Sequence, residues 1–203
     1  MVHRARAVVV LAALTWLVPV VGRADTYDID PAHTGVQFSV RHMMISNVRG
    51  EFTKLSGKAV GDTANPTAAL VEATIETASI DTRNEKRDEH LRSPDFLDVA
   101  KFPTMTFKST KVEKAGDGWK LTGDLTLHGV TKPVVLDVTN VTPPTKDPWG
   151  NTRIGAQATT KINRRDFGIV FNKTLDGGGV LVGDEIAINI DVEVMKKGDA
   201  PAH

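Results

Sequence analysis

The chain has 203 residues, with 25 basic and 25 acidic side chains, 40% apolar residues and no cysteine. Without cysteine there are no thiol nucleophiles, no Cys-ligated zinc, no c-type haem attachment and no disulfide staples, so burial alone must hold the fold. The charge balance argues against nucleic acid as a partner, because phosphate backbones select basic proteins.

The first element in chain order is a targeting segment. Arg4 and Arg6 precede an apolar run from Val8 to Val21, which ends in Gly22-Arg23-Ala24, the charged, apolar and small-residue order of a secretory signal. The run falls short of the roughly 20 residues that span a bilayer, and Pro19 interrupts it. Residues 1–24 are therefore expected to be removed, which leaves 25–203 as one exported domain. The removed piece carries three Arg and no acid, so the remainder is mildly acidic.

Beyond the leader, apolar and polar residues alternate with a period of two, the pattern of half-buried strands. The first three candidates are Val36/Phe38/Val40, Phe52 to Val60, and Val71/Ala73/Ile75. From Asp81 to Leu97 the alternation stops. There Thr82 with Glu85 fits a capping box, and Ser93-Pro94-Asp95 fits a second helix start, so one or two short helices are predicted between strands three and four. Phe96, Leu97 and Phe102 are expected to form an apolar plug.

Five more strands follow. They are Met105 to Val112, Trp119/Leu121/Leu125/Leu127, Val134/Leu136/Val138, Ile154/Ala156/Ala158/Ile162, and Ile186/Ile188/Ile190/Val192/Val194. Gly123 falls on an inner face, where a bend or close approach is expected. Turn residues join the strands at Ala115 to Gly118, Gly129 to Pro133 and Asp147 to Asn151, and Gly177-Gly178-Gly179 marks a loop before the last strand. Short links between neighbours predict an all-β fold of eight antiparallel strands, closed into a barrel or folded as a sandwich.

Catalytic chemistry is thin. His33, His42, His90 and His128 form no His-x-His or His-Glu-x-x-His motif, so no metal site is assigned. No serine sits in a Gly-x-Ser-x-Gly elbow. The acids of the 81–98 segment are interleaved with Arg83, Lys86, Arg87 and Arg92, which reads as a salt-bridged surface. What remains is a set of aromatic and Met side chains beside small inward residues, Ala73, Gly123, Ala156 and Ala158. An eight-stranded barrel is either filled by its own side chains or holds one small ligand, and strand count does not decide which. The small residues favour an apolar cavity.

Several phrases in order resemble the YceI-like family of polyisoprenoid-binding proteins. They are Tyr27 to Thr34 running into Val36 to His42; Val48 to Phe52; Ile80-Asp81-Thr82 leading to Arg87-Asp88-Glu89-His90-Leu91 and Asp95-Phe96-Leu97-Asp98; Lys101-Phe102-Pro103; Leu125 to Pro133; and Arg164-Arg165-Asp166-Phe167-Gly168. Leu97 and Arg165 depart from the family pattern, where a second aromatic and a small polar residue are common. The resemblance implies a periplasmic, lipocalin-like barrel that binds, without turnover, a long isoprenoid lipid or isoprenoid quinone as ligand, with no required cofactor.

On this reading Phe38, Val40, Phe52, Ile75, Phe107, Leu125, Leu127 and Phe167 are expected on the cavity wall. Arg41, His42, Arg49, Arg87, His90 and Arg164 are the head-group candidates, with His42 and Arg164 included in the ligand site. No catalytic residue is assigned. The expected partner is the amphiphilic lipid itself, with transient contact to a membrane or a second copy left open. Two rivals stand beside this reading: a hydrolase or isomerase using Asp88 with His90, and a solid-cored, stress-related interaction module.

Overall fold

Alternating Val, Ile, Leu and Phe against Thr, Lys and Asp produces twelve strands in the computed structural model, which describes residues 24–198. The expected leader lies outside the described residues except for Ala24. In chain order the strands are β1 (Asp25–Ile29), β2 (Gly35–His42), β3 (Ser46–Phe52), β4 (Leu55–Asp62), β5 (Asn65–Glu76), β6 (Ile80–Asp81), β7 (Thr104–Ala115), β8 (Gly118–Leu127), β9 (Val130–Thr139), β10 (Thr145–Lys146), β11 (Thr152–Asn163) and β12 (Val182–Lys196). One helix, α1 (Glu85–Arg92), lies between β6 and β7.

These twelve pieces make eight staves. β1 and β2 lie end to end along one edge of β12, with Ile29 opposite Val194 and Gly35 opposite Asp191. The break between them falls at Pro31, which has no N–H for a ladder, while Asp30 Oδ1 accepts from Ala32 N at 2.9 Å. β3 and β4 form the next stave in the same way, with Phe52 opposite Val36 and Lys58 opposite Asp28. β5, β7, β8, β9 and β11 follow, each antiparallel to its predecessor, and β12 closes the circle against β11 on one side and β1/β2 on the other. The short strands β6 and β10 attach to β3 and β11. Closure leaves no sheet edge among the staves, which removes the main route to edge-to-edge aggregation.

The wall is weakest where β9 meets β11, which share three residue pairs, from Gln157 opposite Thr139 to Thr159 opposite Asp137. Below them the strands splay, and Thr160 Oγ1 bridges the seam by donating to the Val135 carbonyl at 2.8 Å.

The chain from Thr77 to Pro103 covers one end of the barrel. Thr77 is 1% exposed and its hydroxyl donates to the Phe102 carbonyl at 2.7 Å. Asn84, not Thr82, caps α1, accepting from Arg87 N at 3.0 Å. Thr82 instead donates through its N–H and hydroxyl to the buried carboxylate of Asp88, which ties the helix to β6. The second helix start expected at Ser93 is a turn, in which the Ser93 carbonyl accepts from Phe96 N and Asp98 N.

Phe96 and Leu97 form the expected plug, packed with Ile80, Met105, Leu127, Ile162, Phe167 and Ile169. Phe102 is not in it. Its ring stacks on His128 with centroids 4.5 Å apart, beside Gly129 in the left-handed region at φ 73°.

Gly123 meets its expectation of a close approach. A methyl group there would overlap the Phe107 ring and come within 2.6 Å of the Lys108 carbonyl. Gly123→Ala should therefore cost about 1–3 kcal/mol through overpacking. The check is a lowered urea midpoint with an unchanged slope.

Candidate functional site

The barrel interior is a single apolar cavity of about 920 Å³, near the top of the roughly 300–1,000 Å³ range of small-molecule sites. Its origin is visible in the side chains of the middle layers. Ala73, Ala156 and Ala158 face inward where larger residues would meet across the barrel, while the space over Gly123 is filled by the Phe107 ring. In consequence Phe38, Val40, Phe52, Phe107, Leu125, Ile188 and Ile190 line the cavity and are only half-buried, although they point away from bulk solvent. A solid core would have buried them fully.

The cavity is closed at one end by the plug. At the other it opens between the β4–β5 hairpin with Asp62 and Thr63, the β7–β8 hairpin with Asp117 and Gly118, and the segment from Thr139 to Pro144.

Polar groups in the deep cavity already have protein partners. Thr34 Oγ1 donates to the Glu193 carbonyl and accepts from Glu193 N. Thr160 is spent on the β9–β11 seam. Arg164, 3% exposed, donates from Nε to Gly183 O, from Nη1 to Ile169 O and Phe171 O, and from Nη2 to Val182 O and Asp184 Oδ1, at 2.8–3.3 Å. Burial lowers its pKa, opposed by the carboxylate of Asp184. All five donors are used, so Arg164 lines the cavity floor as a clamp with no N–H left for a head group.

Of the sequence-predicted residues, Phe38, Val40, Phe52, Ile75, Phe107, Leu125, Leu127 and Arg164 all line the cavity. Phe167 does not. It is 2% exposed and packed in the plug behind the wall. His42 ends β2 opposite Val182 and is not on the lining. The remaining head-group candidates lie away from the mouth: Arg41 donates to Met44 O, Arg87 to Thr82, and His90 pairs with Asp95 at 2.9 Å. Arg49 stands on β3 beside Ser39. Asp88 and His90, the pair of the hydrolase alternative, are committed to Thr82 and Asp95 and do not share a site.

Sequence reasoning missed the charged group that does reach the opening. Lys114 lies opposite Trp119, with Nζ 4.6 Å from the indole centroid and 3.2 Å from the Asp117 carbonyl it bonds. A bulge between Ser109 and Lys111 shifts β7 by one residue, so Met105, Phe107 and Ser109 point inward before it and Val112 and Lys114 after it. That shift is the only sequence-level signal, and it reads there as imperfect alternation.

A second polar cluster lies on the outer wall. Among the described residues Asp30, His33 and Glu193 come close enough to share an ion. The Arg153 guanidinium already bonds Asp30 Oδ2 at 2.6 Å, Glu193 Oε1 at 2.5 Å and Asp147 Oδ2 at 2.7 Å, which accounts for the cluster as a clasp joining β1, β11, β12 and the β10–β11 turn. The bond from Arg153, opposed by burial and helped by His33, lowers the Asp30 carboxyl from 3.8 to about 2. Burial would raise the Asp147 carboxyl, but Arg153, the Asn151 amide and two backbone N–H groups hold it well below the usual range.

Carboxyls with depressed folded-state pKa values contribute stability above their unfolded pKa and lose it as pH falls through the folded one. The Asp30 contribution is thus present above about pH 4, is worth about 2 kcal/mol, and disappears toward pH 2. Arg153→Met should lower Tm most at pH 7, and the gap to the parent should narrow as pH falls from 5 to 2 and Asp30 takes up its proton, the Asp147 part persisting to lower pH. A gap independent of pH would remove the clasp from the account.

An eight-stave, up-and-down antiparallel barrel around one apolar cavity, sealed at one end and open at the other, is a lipocalin-like binding barrel. The YceI-like domain profile matches residues 27–194, and the chain belongs to that family. Protein YceI of Escherichia coli O17:K52:H18 is 46% identical over 148 residues, 72% of this chain and 77% of that protein. Protein YceI of Salmonella newport is 43% identical over 170 residues, covering 83% and 86%.

Among solved structures, the Campylobacter jejuni YCEI protein aligns with a TM-score of 0.65 and 37% identity over 77% of this chain and 89% of its own. A polyisoprenoid-binding domain from Saccharophagus degradans shares the fold, with a TM-score of 0.60 and 16% identity over 84% and 98%. Among the described residues no helix is long and apolar enough to cross a membrane.

Proposed function

We propose that this protein is a periplasmic binding protein for a long-chain amphiphile of the polyisoprenoid or isoprenoid-quinone type, which it carries or stores without chemical change. The tail lies in the cavity and the head stays at the mouth. One observation carries the reading: deep in the cavity the wall is apolar and its few polar atoms are already bonded to protein, while Lys114, Asp117 and Asp62 stand at the opening. An amphiphile fits that division, whereas a compact polar ligand would lose its hydrogen bonds on entry.

Each 100 Å² of tail removed from water contributes about 2.5 kcal/mol before ordering costs. A preformed cavity keeps those costs low. At the mouth, Lys114 and Trp119 offer a cation and a flat apolar face to a phosphate or a quinone ring. The polyisoprenoid-binding domain of Saccharophagus degradans supports the ligand class by likeness of fold.

Native mass spectrometry of protein purified without detergent, then mixed with a polyprenyl phosphate or a quinone, tests the reading. One bound molecule per chain, recovered with unchanged mass after prolonged incubation, is the expected result. No uptake would overturn it, and a changed mass would favour the hydrolase or isomerase.

A further inference from the structure

A carrier that fills from a bilayer needs a surface that meets it, and apart from Val135 on the outer face of β9 the exposed large apolar residues fall into two groups. Leu70, Val141 and Trp149 are 57%, 48% and 72% exposed. They come from β5, where Leu70 lies opposite Val60 two residues from the end of β4, from the segment after β9 and from the β10–β11 turn, three separate pieces of chain at the open end of the barrel. Met43, Met44, Ile45 and Val170 form the other group, on the β2–β3 turn and beside the plug. That end is closed, so a tail has no path through it.

From this arrangement we infer that the mouth rim, with Leu70, Val141 and Trp149 as its contacts, docks on a phospholipid bilayer surface and sets the cavity opening against it. The inference deepens the lipid-binding reading and rests on it.

Two further features point to a bilayer as the occupant. The patch is continuous with the cavity opening, because Val141, Pro143 and Pro144 line both. Tryptophan suits the interface between headgroups and tails, being apolar in body and polar at one edge. Trp149 is also held in place: Asp147 Oδ1 accepts from Trp149 N and Asn151 N, and the same Asp147 is bound by Arg153. Lys114, Lys146 and Lys197 stand at this end beside Asp25, Asp62 and Asp117, so the rim charge is mixed and its apolar residues carry the contact.

The chain has no cysteine, so one introduced thiol reports one place. Leu70→Cys, Val141→Cys and Trp149→Cys, each carrying an environment-sensitive NBD label, would be mixed with vesicles of phosphatidylethanolamine and phosphatidylglycerol at 3:1. Ile45→Cys at the closed end is the comparison. A rise in NBD emission of about twofold or more at the rim positions, with no change at Ile45, is expected. Separately, Val141→Asp combined with Trp149→Ser should reduce co-flotation with the same vesicles about fivefold or more.

An equal or larger response at Ile45, no response anywhere, or flotation indifferent to the double substitution would each overturn the inference. Uptake of the same lipid presented on cyclodextrin, without vesicles, separates the two readings. Uptake without docking sinks the rim alone, and docking without uptake sinks the carrier alone.

Discussion

Arg164→Met should destabilise the protein by about 3–5 kcal/mol, the largest loss expected from any single substitution considered. Arg164 follows β11 in a short 3-10 turn, Arg164–Phe167, whose entry is set by Asn163 accepting from Arg165 N and whose exit is set by Gly168 at φ 77°. The turn delivers the guanidinium beneath the barrel floor. There it gathers the carbonyls of Ile169, Phe171, Val182 and Gly183 together with the Asp184 carboxylate.

Methionine keeps the apolar stem and removes all five donors, so buried carbonyls lose their partners and the segment from Ile169 to Phe171 comes away from β12. Ile169 belongs to the plug, which ties this loss to the closed end of the cavity. Urea unfolding measures the effect. A loss under about 1 kcal/mol would mean that water replaces the guanidinium at no great penalty, and the clamp would be discarded. Arg164→Lys should recover little, since one ammonium group cannot reach five acceptors spread over two segments, 169–171 and 182–184.

The same residue illustrates what the sequence conveyed and what it withheld. Period-two alternation marked a part of each of the eight staves, because the inner face of a closed sheet selects apolar residues whether they meet a neighbour or a void; it passed over β1 and most of β3, and its Phe52 to Val60 candidate runs across the break between β3 and β4. For the same reason alternation could not separate a hollow barrel from a solid one. That distinction came from the small residues at 73, 156 and 158, whereas the Phe107 ring fills the space over Gly123. Phe167 clusters just as Phe107 does, yet Phe107 faces the cavity while Phe167 belongs to the buried plug, and Leu127 lies where the plug meets the cavity.

Charged residues were harder to place. Arg164 and Lys114 differ in role by their position along the barrel axis, and position along the axis depends on the register of eight staves and a bulge at Ser109/Lys111. The Arg153 clasp joins residues 123 and 40 positions apart, a separation no local pattern records. Local competition explains the misplaced helix start: both Thr82 and Asn84 suit an N-cap, and the buried carboxylate of Asp88 claimed Thr82.

Ala156→Trp should abolish lipid uptake while leaving the fold intact. Ala156 lies on β11 opposite Val192, faces inward and lines the cavity near its middle. An indole there extends into the void, adds dispersion contacts with the opposite wall and displaces no buried neighbour, so Tm should stay within a few degrees of the parent or rise. That outcome would contrast with Gly123→Ala, where one methyl group meets the Phe107 ring. It also makes Ala156 a better probe than Leu127→Arg, since Leu127 is 6% exposed within the plug and a cation there would disturb the floor as well as the cavity.

In native mass spectrometry the Ala156→Trp protein should hold less than about a tenth of the lipid bound by the parent, a shift of about 1.4 kcal/mol or more in binding. Phe38→Trp, two staves away on β2 and already carrying a ring, should weaken uptake by less. A folded Ala156→Trp protein that still loads one lipid per chain would place the ligand outside the barrel, and the cavity would lose its assigned role.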